Sequence, residues 1–300
     1  MYLGCNVYFW GEREQDRLLA ECVKPLAAEA DLRLLCARFD ARGPHVMMLF
    51  RTTPATDGEA RARIASVIEA YLARSPSLAS PSAEELEARH AACLGKALCS
   101  ADRAPGLAPN NSSVLFEHTE QDYPFNLAND VEERDALWRL REEVVLWALG
   151  QLGATSRGSV TAAAVRWIAA LDSGIRAAGE PSAPYWRYMA GRVLVGLTER
   201  ADAEEPTAAK LFSIVGEKNR QALSRLWREG ETETETETEG DLEKLVRIVL
   251  ADDGRPLERR RALLRDLVHT TLILLGLTVQ QQAPLLLFAW ASASAQEEGS

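Results

Sequence analysis

Residues 2–10, YLGCNVYFW, are a short run rich in aromatic and β-branched side chains, the pattern of a strand. After GEREQ the period lengthens. Leu18, Leu19, Cys22, Val23 and Leu26 recur at helical spacing. Pro25 lies inside this helix and predicts a kink, because a mid-helix proline loses a hydrogen bond and clashes with the preceding turn. Two more strands are expected at 32–39 and 45–52, joined by the turn Asp40–Pro44, and DGEARARIASVIEAYLARS is a second amphipathic helix. The order β-α-β-β-α suits a small antiparallel sheet backed by helices.

SPSLASPSAEE, at 75–85, reads as a Ser/Pro linker, 84–99 as a helix, and SADRAPGLAPNNSS, at 100–113, as a loop. VLFEHTEQDYPFN begins as a strand and turns irregular. Beyond Asn129 the pattern is helical, with expected spans 130–153, 157–178, 184–199, 206–229, 241–252, 256–275 and 283–294. Asp130 and Glu133 have the spacing of a capping box. GETETETETEG has too little apolar surface to bury and repels itself, so 230–240 is expected to be a flexible acidic loop. The fold class that follows is α+β. A βαββα sheet portion (1–75), a middle of linker, helix, loop and short strand (76–129) and a larger, mostly helical portion (130–300) are expected to pack as one compact unit.

Composition narrows the function classes. Hydrophobic content of 47% and charged content of 26% are those of a globular protein. A formal charge of −10 argues against a general nucleic-acid binder, which needs a basic face for phosphates. The five cysteines, Cys5, Cys22, Cys36, Cys93 and Cys99, form no CxxC pair. They read as core residues, with Cys99 the most accessible, in a reducing, cytoplasmic setting. No basic-then-apolar leader is seen, and LVHTTLILLGLT is too short for a membrane span. No nucleotide loop, zinc spacing or nucleophile elbow is present, so no metal and no cofactor are expected.

Several residues are candidates for chemistry. Arg38 and His45 stand at the lips of the predicted hairpin, and His45 has an ordinary pKa near working pH. The bland alternative is that His45 closes the turn and Arg38 pairs with Asp40. His269 falls in an almost wholly apolar helix, where an imidazole needs a hydrogen-bond partner. Tyr185 and Tyr188, in PYWRYM, lie three apart on one helix face. Glu117, Glu120 and Tyr123 fall on a loop beside the predicted cleft.

A resemblance adds to this reading. ECVKPL…LLCARFDARGPHVMMLF is similar to the start of the lantibiotic dehydratase C-terminal, or thiopeptide-type bacteriocin biosynthesis, family. Arg38-Phe39 stands at that family's R-Y/F position and Gly43-Pro44-His45 at its G-P-H turn. FEHTEQDYPF matches a middle motif at Glu120 and Tyr123, without its arginine and glycines. LVHTTLILLGLT matches a C-terminal helix at His269 and Gly276, without its asparagine and arginine. Glutamate-eliminating members use arginines on the strand after G-P-H; here Met47 and Leu49 stand in those places, and a thioether cannot grip a carboxylate. The resemblance therefore points to the pyridine-synthase branch. It implies a formal aza-[4+2] cycloaddition of two dehydroalanines in a ribosomal precursor peptide, with loss of water and leader. A split glutamate-eliminating enzyme and a non-catalytic peptide-binding partner are the alternatives. His269, Tyr188, Tyr185, His45 and Glu120 are the expected acids and bases. Arg33, Arg38, Arg42, Arg51 and Tyr123 are the expected peptide contacts, since leaders in such systems are commonly acidic. The expected partner is the precursor peptide, with a homodimer allowed and no membrane or nucleic acid.

Overall fold

The computed structural model describes residues 2–29, 32–40, 42–53, 55–92, 107–118, 131–152, 157–193, 212–213, 215–233 and 256–298. The expected helix at 241–252, the Asp130 cap, Cys93, Cys99, Glu120, Tyr123 and most of the Glu-Thr repeat lie outside them. The fold is α+β: one four-stranded antiparallel sheet built mainly from the N-terminal strands, with helices making up the rest of the regular structure described. The chain divides into two compact units, Met1–Ala154 and Thr155–Ser300.

In the first unit, β1 (Tyr2–Tyr8) is an inner strand. It pairs with β3 (His45–Arg51) on one side and β4 (Ser112–His118) on the other, with β2 (Arg33–Phe39) outside β3. Directly opposed residues share a face. Tyr2, Tyr8, Leu35, Phe39, His45, Met47, Leu49 and Phe116 thus lie on one face, and Leu3, Cys5, Val7, Leu34, Cys36, Arg38, Met48 and Phe50 on the other. The first face closes over Trp138 of α5 (Val131–Leu152), which stacks on Tyr2 at 5.2 Å and completes a cluster with Leu35, Ala37, Phe39, Met47 and Leu49. Gly4 has a packing reason: a Cβ there would stand 2.1 Å from the Phe116 ring of the neighbouring strand.

The predicted kink takes a definite form. The helix α1 (Glu12–Leu18) runs into a π turn, Leu19–Val23, before α2 (Lys24–Ala27). The Lys24 N–H donates to Leu19 O, five residues back. The wider turn accommodates Pro25, which has no N–H to return to the helix. The amphipathic α3 (Asp57–Arg74) buries Ala60, Ile64, Ile68 and Tyr71, at successive four- and three-residue steps. A short α4 (Ala83–Ala92) follows.

The Ser/Pro stretch is anchored through two asparagines. Asn110 Oδ1 accepts from Trp10 N at 2.8 Å and Asn110 Nδ2 donates to Ala79 O at 3.0 Å. Asn111 Oδ1 accepts from Ser77 N at 2.6 Å, and Ser77 Oγ donates to Trp10 O at 2.5 Å. Two chain segments and the end of β1 are clasped by these side chains.

The second unit contains α6 (Arg157–Ala177), α7 (Ala183–Val193), α8 (Glu217–Glu233), α9 (Leu257–Leu274) and α10 (Val279–Glu298). Helix α10 packs along α7, α6 packs along α8, and α9 touches α7. Helix α9 ends at Gly276, whose φ of 78° is left-handed. Its N–H donates to Ile273 O at 2.8 Å and the Leu277 N–H to Leu272 O at 2.9 Å, a Schellman cap. Thr278 and Gln281 then form a capping box: Gln281 Oε1 accepts from Thr278 N at 2.9 Å, and Thr278 Oγ1 accepts from Gln281 N at 3.4 Å. This box starts α10 at Val279, earlier than the expected 283. No described helix is long and apolar enough to cross a membrane.

Candidate functional site

His269 lies on α9 one turn before that cap, half-buried. Its Nδ1 is 2.9 Å from Gln282 Oε1 of α10. Gln282 is fully buried, and its Nε2 donates to Leu277 O at 2.8 Å. A backbone carbonyl can only accept, so the amide orientation is determined and Oε1 must accept from the histidine. Nδ1 therefore carries the proton in the neutral ring, and Nε2 carries the lone pair. Among the described residues Nε2 has no hydrogen-bond partner. Burial holds the His269 pKa below its ordinary value, opposed by the Gln282 bond and reinforced by the positive charge of Arg265. Neutral solution thus finds a basic nitrogen of defined tautomer.

Arg265 stands four residues before His269, on the same side of α9. Its Nη1 lies 3.4 Å from the Tyr188 hydroxyl, and its guanidinium carbon 5.7 Å from the centre of that ring. The structure thereby links two of the sequence candidates, Tyr188 of α7 and His269 of α9, through a residue the sequence reading did not single out. The i−4 spacing was the available signal. For Gln282 the signal was TVQQ, a capping box that begins a helix and turns the next glutamine inward.

Tyr185 has a different setting. It is buried, and its hydroxyl is 3.4 Å from Glu180, whose other oxygen holds Arg260 at 2.7 Å. Burial first, and Glu180 second, push its pKa up. The neighbouring Trp186 donates its indole N–H to the buried Asp172 at 2.7 Å, and Arg176 donates to the same carboxylate at 2.9 Å. Tyr185 and Trp186 therefore build the scaffold under α7, while Tyr188 on the next turn meets Arg265.

The hairpin candidates belong to the first unit. His45 is buried, with Nδ1 2.9 Å from Gly43 O and its ring against Tyr8 at 4.9 Å and Phe39 at 5.8 Å. The Gly43 contact ties the ring to its own turn. Arg38 is buried on the opposite sheet face and pairs with Asp16 of α1 at 2.6 Å. Arg33 pairs with Glu142 and Arg51 with Asp135, both carboxylates on α5. Arg42 has a φ of 59° at the turn, and its guanidinium lies 5.8 Å from the centre of the Tyr8 ring. Arg33, Arg38 and Arg51 thus hold carboxylates of their own unit. Glu117 is 83% exposed, 3.8 Å from Arg61. Met47 and Leu49 pack with Trp138 in the core cluster of the sheet.

The cysteines described are core residues. Burial pushes the thiols of Cys5 and Cys36 up to about 12 and that of Cys22 to about 11, so none supplies a thiolate. Among the described residues no cluster of His, Cys, Asp and Glu has the arrangement to hold a metal ion.

No protein-family model matches the chain, and no curated protein matches it in sequence. A solved structure does match. The chain is similar to the pyridine synthase TbtD from thiomuracin biosynthesis, at 19% identity and a TM-score of 0.68, over 99% of this chain and 99% of that one. At this identity the likeness establishes the fold, and it does so across both units.

Proposed function

We propose that this protein is a pyridine synthase of thiopeptide biosynthesis. It joins two dehydroalanines of a modified precursor peptide into the central six-membered nitrogen heterocycle, with loss of water and of the leader. The observation that carries this reading is the end-to-end likeness of fold to a pyridine synthase. The chemistry asks for little more than positioning and proton transfer, because the amide that becomes the azadiene must tautomerise to its iminol form. His269 Nε2 is the base for the amide N–H, and Tyr188 is the acid near the amide oxygen. Tyr185 supports α7 through Glu180 and Arg260. His45 shapes the hairpin, and Arg42 contacts the leader. Glu120 and Tyr123 keep their expected roles in binding and proton transfer.

The glutamate-eliminating alternative loses ground on one particular. Its arginine positions are filled by Met47 and Leu49 inside a packed apolar cluster, where a guanidinium would be buried without a partner. Incubating the protein with a dehydrated, azole-bearing linear precursor decides between the readings. Mass spectrometry should show a macrocycle lighter by water and leader, with pyridine absorbance, and the released leader. Loss of a glutamyl group alone from a glutamylated precursor would instead establish the eliminase. Binding without any conversion would establish a non-catalytic peptide-binding partner.

A further inference from the structure

We propose that Arg265 is a catalytic residue of this site, holding the substrate amide oxygen while His269 takes the proton from the amide nitrogen. The inference rests on the cyclisation reading above and adds an oxyanion-binding group to it. Its basis is geometric. Arg265 is half-buried, and among the described residues no carboxylate pairs with it. That contrasts with Arg33, Arg38, Arg51, Arg63 and Arg260, each of which holds an acidic partner. The head group is nevertheless held in place, by the Tyr188 hydroxyl at 3.4 Å and by stacking over that ring. A cation kept without a counter-charge, one helical turn from a ring nitrogen of defined tautomer, is arranged to receive negative charge from outside the protein.

The step balances. The amide N–H proton passes to His269 Nε2, the carbon–nitrogen bond gains its second pair, and the carbonyl pair moves onto oxygen. Two guanidinium N–H groups suit that oxygen better than an ammonium would, because their spacing is rigid. The imidate is the azadiene that adds to the second dehydroalanine. The resulting ring alkoxide takes its proton back from the His269 imidazolium. The hydroxyl then leaves as water together with a ring C–H proton, and the leader leaves as its amide with a second ring hydrogen, which makes the ring aromatic. No oxidant or further reactant is required.

Two measurements test this, one of them independent of cyclisation. In the first, single-turnover cyclisation is followed for wild type, Arg265→Met and Arg265→Ala, with leader affinity and thermal midpoint recorded alongside. Folded variants should bind leader as wild type does and cyclise about 10²–10³-fold more slowly. Millimolar guanidinium ion should restore part of the rate to Arg265→Ala and none to Arg265→Met, whose side chain fills the space. In the second, the His269 ring is followed by NMR while acetate is added as a carboxylate probe. Acetate should raise the His269 titration midpoint in wild type and leave it unmoved in Arg265→Met. If wild type converts no precursor, the cyclisation reading falls, and the acetate titration still decides whether Arg265 receives anions. Folded Arg265→Met with wild-type turnover, or an acetate response independent of Arg265, overturns the proposal.

Discussion

At the scale of single residues, His269 shows how one side chain is specified by distant choices. Gly276 ends α9, Leu277 O then meets Gln282, and Gln282 dictates which ring nitrogen is protonated. His269→Phe keeps the volume and removes the base. We expect a folded variant with leader affinity near wild type and cyclisation reduced roughly 10²–10⁴-fold. Wild-type turnover in that variant would assign the histidine to the core. The ring also makes a pH prediction. Burial and Arg265 depress its pKa, so below about 6.5 the unfolded chain takes up a proton more readily than the folded one. The stability this group contributes is complete above that value and drains as pH falls toward the folded pKa. Arg265 on the same helix is the charged neighbour of the ring, Tyr188 of α7 lies beyond it, and α10 supplies the neutral Gln282. Thermal midpoints measured from neutral pH downward should therefore fall less steeply for His269→Phe than for wild type, and the wild-type cyclisation rate should rise through an inflection below 6.5. A rate that climbs only above neutral pH would point to another base.

At the scale of elements, the Asn110–Asn111 clasp ties the end of β1 to two loop segments. Sequence patterning marked PNNSS as loop and SPSLASPSAEE as linker, and local pattern could say no more, because the bonds join positions 10, 77–79 and 110–111. Asn110→Ala removes acceptors and donors that two backbone segments rely on. We expect a loss of roughly 2–4 kcal/mol, from several hydrogen bonds at about 0.5–1.5 kcal/mol each. Urea unfolding measures it, and a loss under half a kcal/mol would show that water replaces the clasp at no cost. The α9–α10 corner is the other case. Gly276→Ala places a side chain at a φ of 78°, which costs about 1–2 kcal/mol in the left-handed region. Its more telling effect should be on His269: if the corner shifts, Gln282 loses Leu277 O and the Nδ1 proton is no longer assigned. Nitrogen-15 shifts of the imidazole should then show mixed tautomers, where wild type shows one.

At the scale of the whole molecule, much of the fold was legible, for a physical reason. Strands and helices are written in local periods, so β1, β2, β3, α3, α6 and α7 were readable, as was the start of β4 in VLFEH. Long-range partners are not written locally. Nothing near Arg33 or Arg51 announces Glu142 or Asp135, about a hundred residues away, and nothing near Met47 announces Trp138. The candidate site follows the same rule. His269 and Tyr188 could be named, but the arginine between them needed the packing of α7 on α9. This bears on how an acidic protein, with a net charge of −10, would recognise an acidic leader. Four arginines at the hairpin looked like a positive patch, yet Arg33, Arg38 and Arg51 are each matched by a carboxylate in the same unit. The field those three project is therefore muted, and we propose that Arg42, at the turn and against the Tyr8 ring, meets the leader. We expect leader affinity to fall several-fold between low and high salt, a modest dependence, since charges more than about 10 Å apart are screened at 0.1 M. Arg42→Glu should weaken binding at low salt and leave the thermal midpoint near wild type. Arg51→Glu should do the reverse, because it sets two acids against each other at the sheet–α5 contact. Calorimetric titration of the leader peptide against both variants separates the two effects. A dissociation constant indifferent to salt and to Arg42→Glu would mean that the leader is held by apolar contacts elsewhere on the protein.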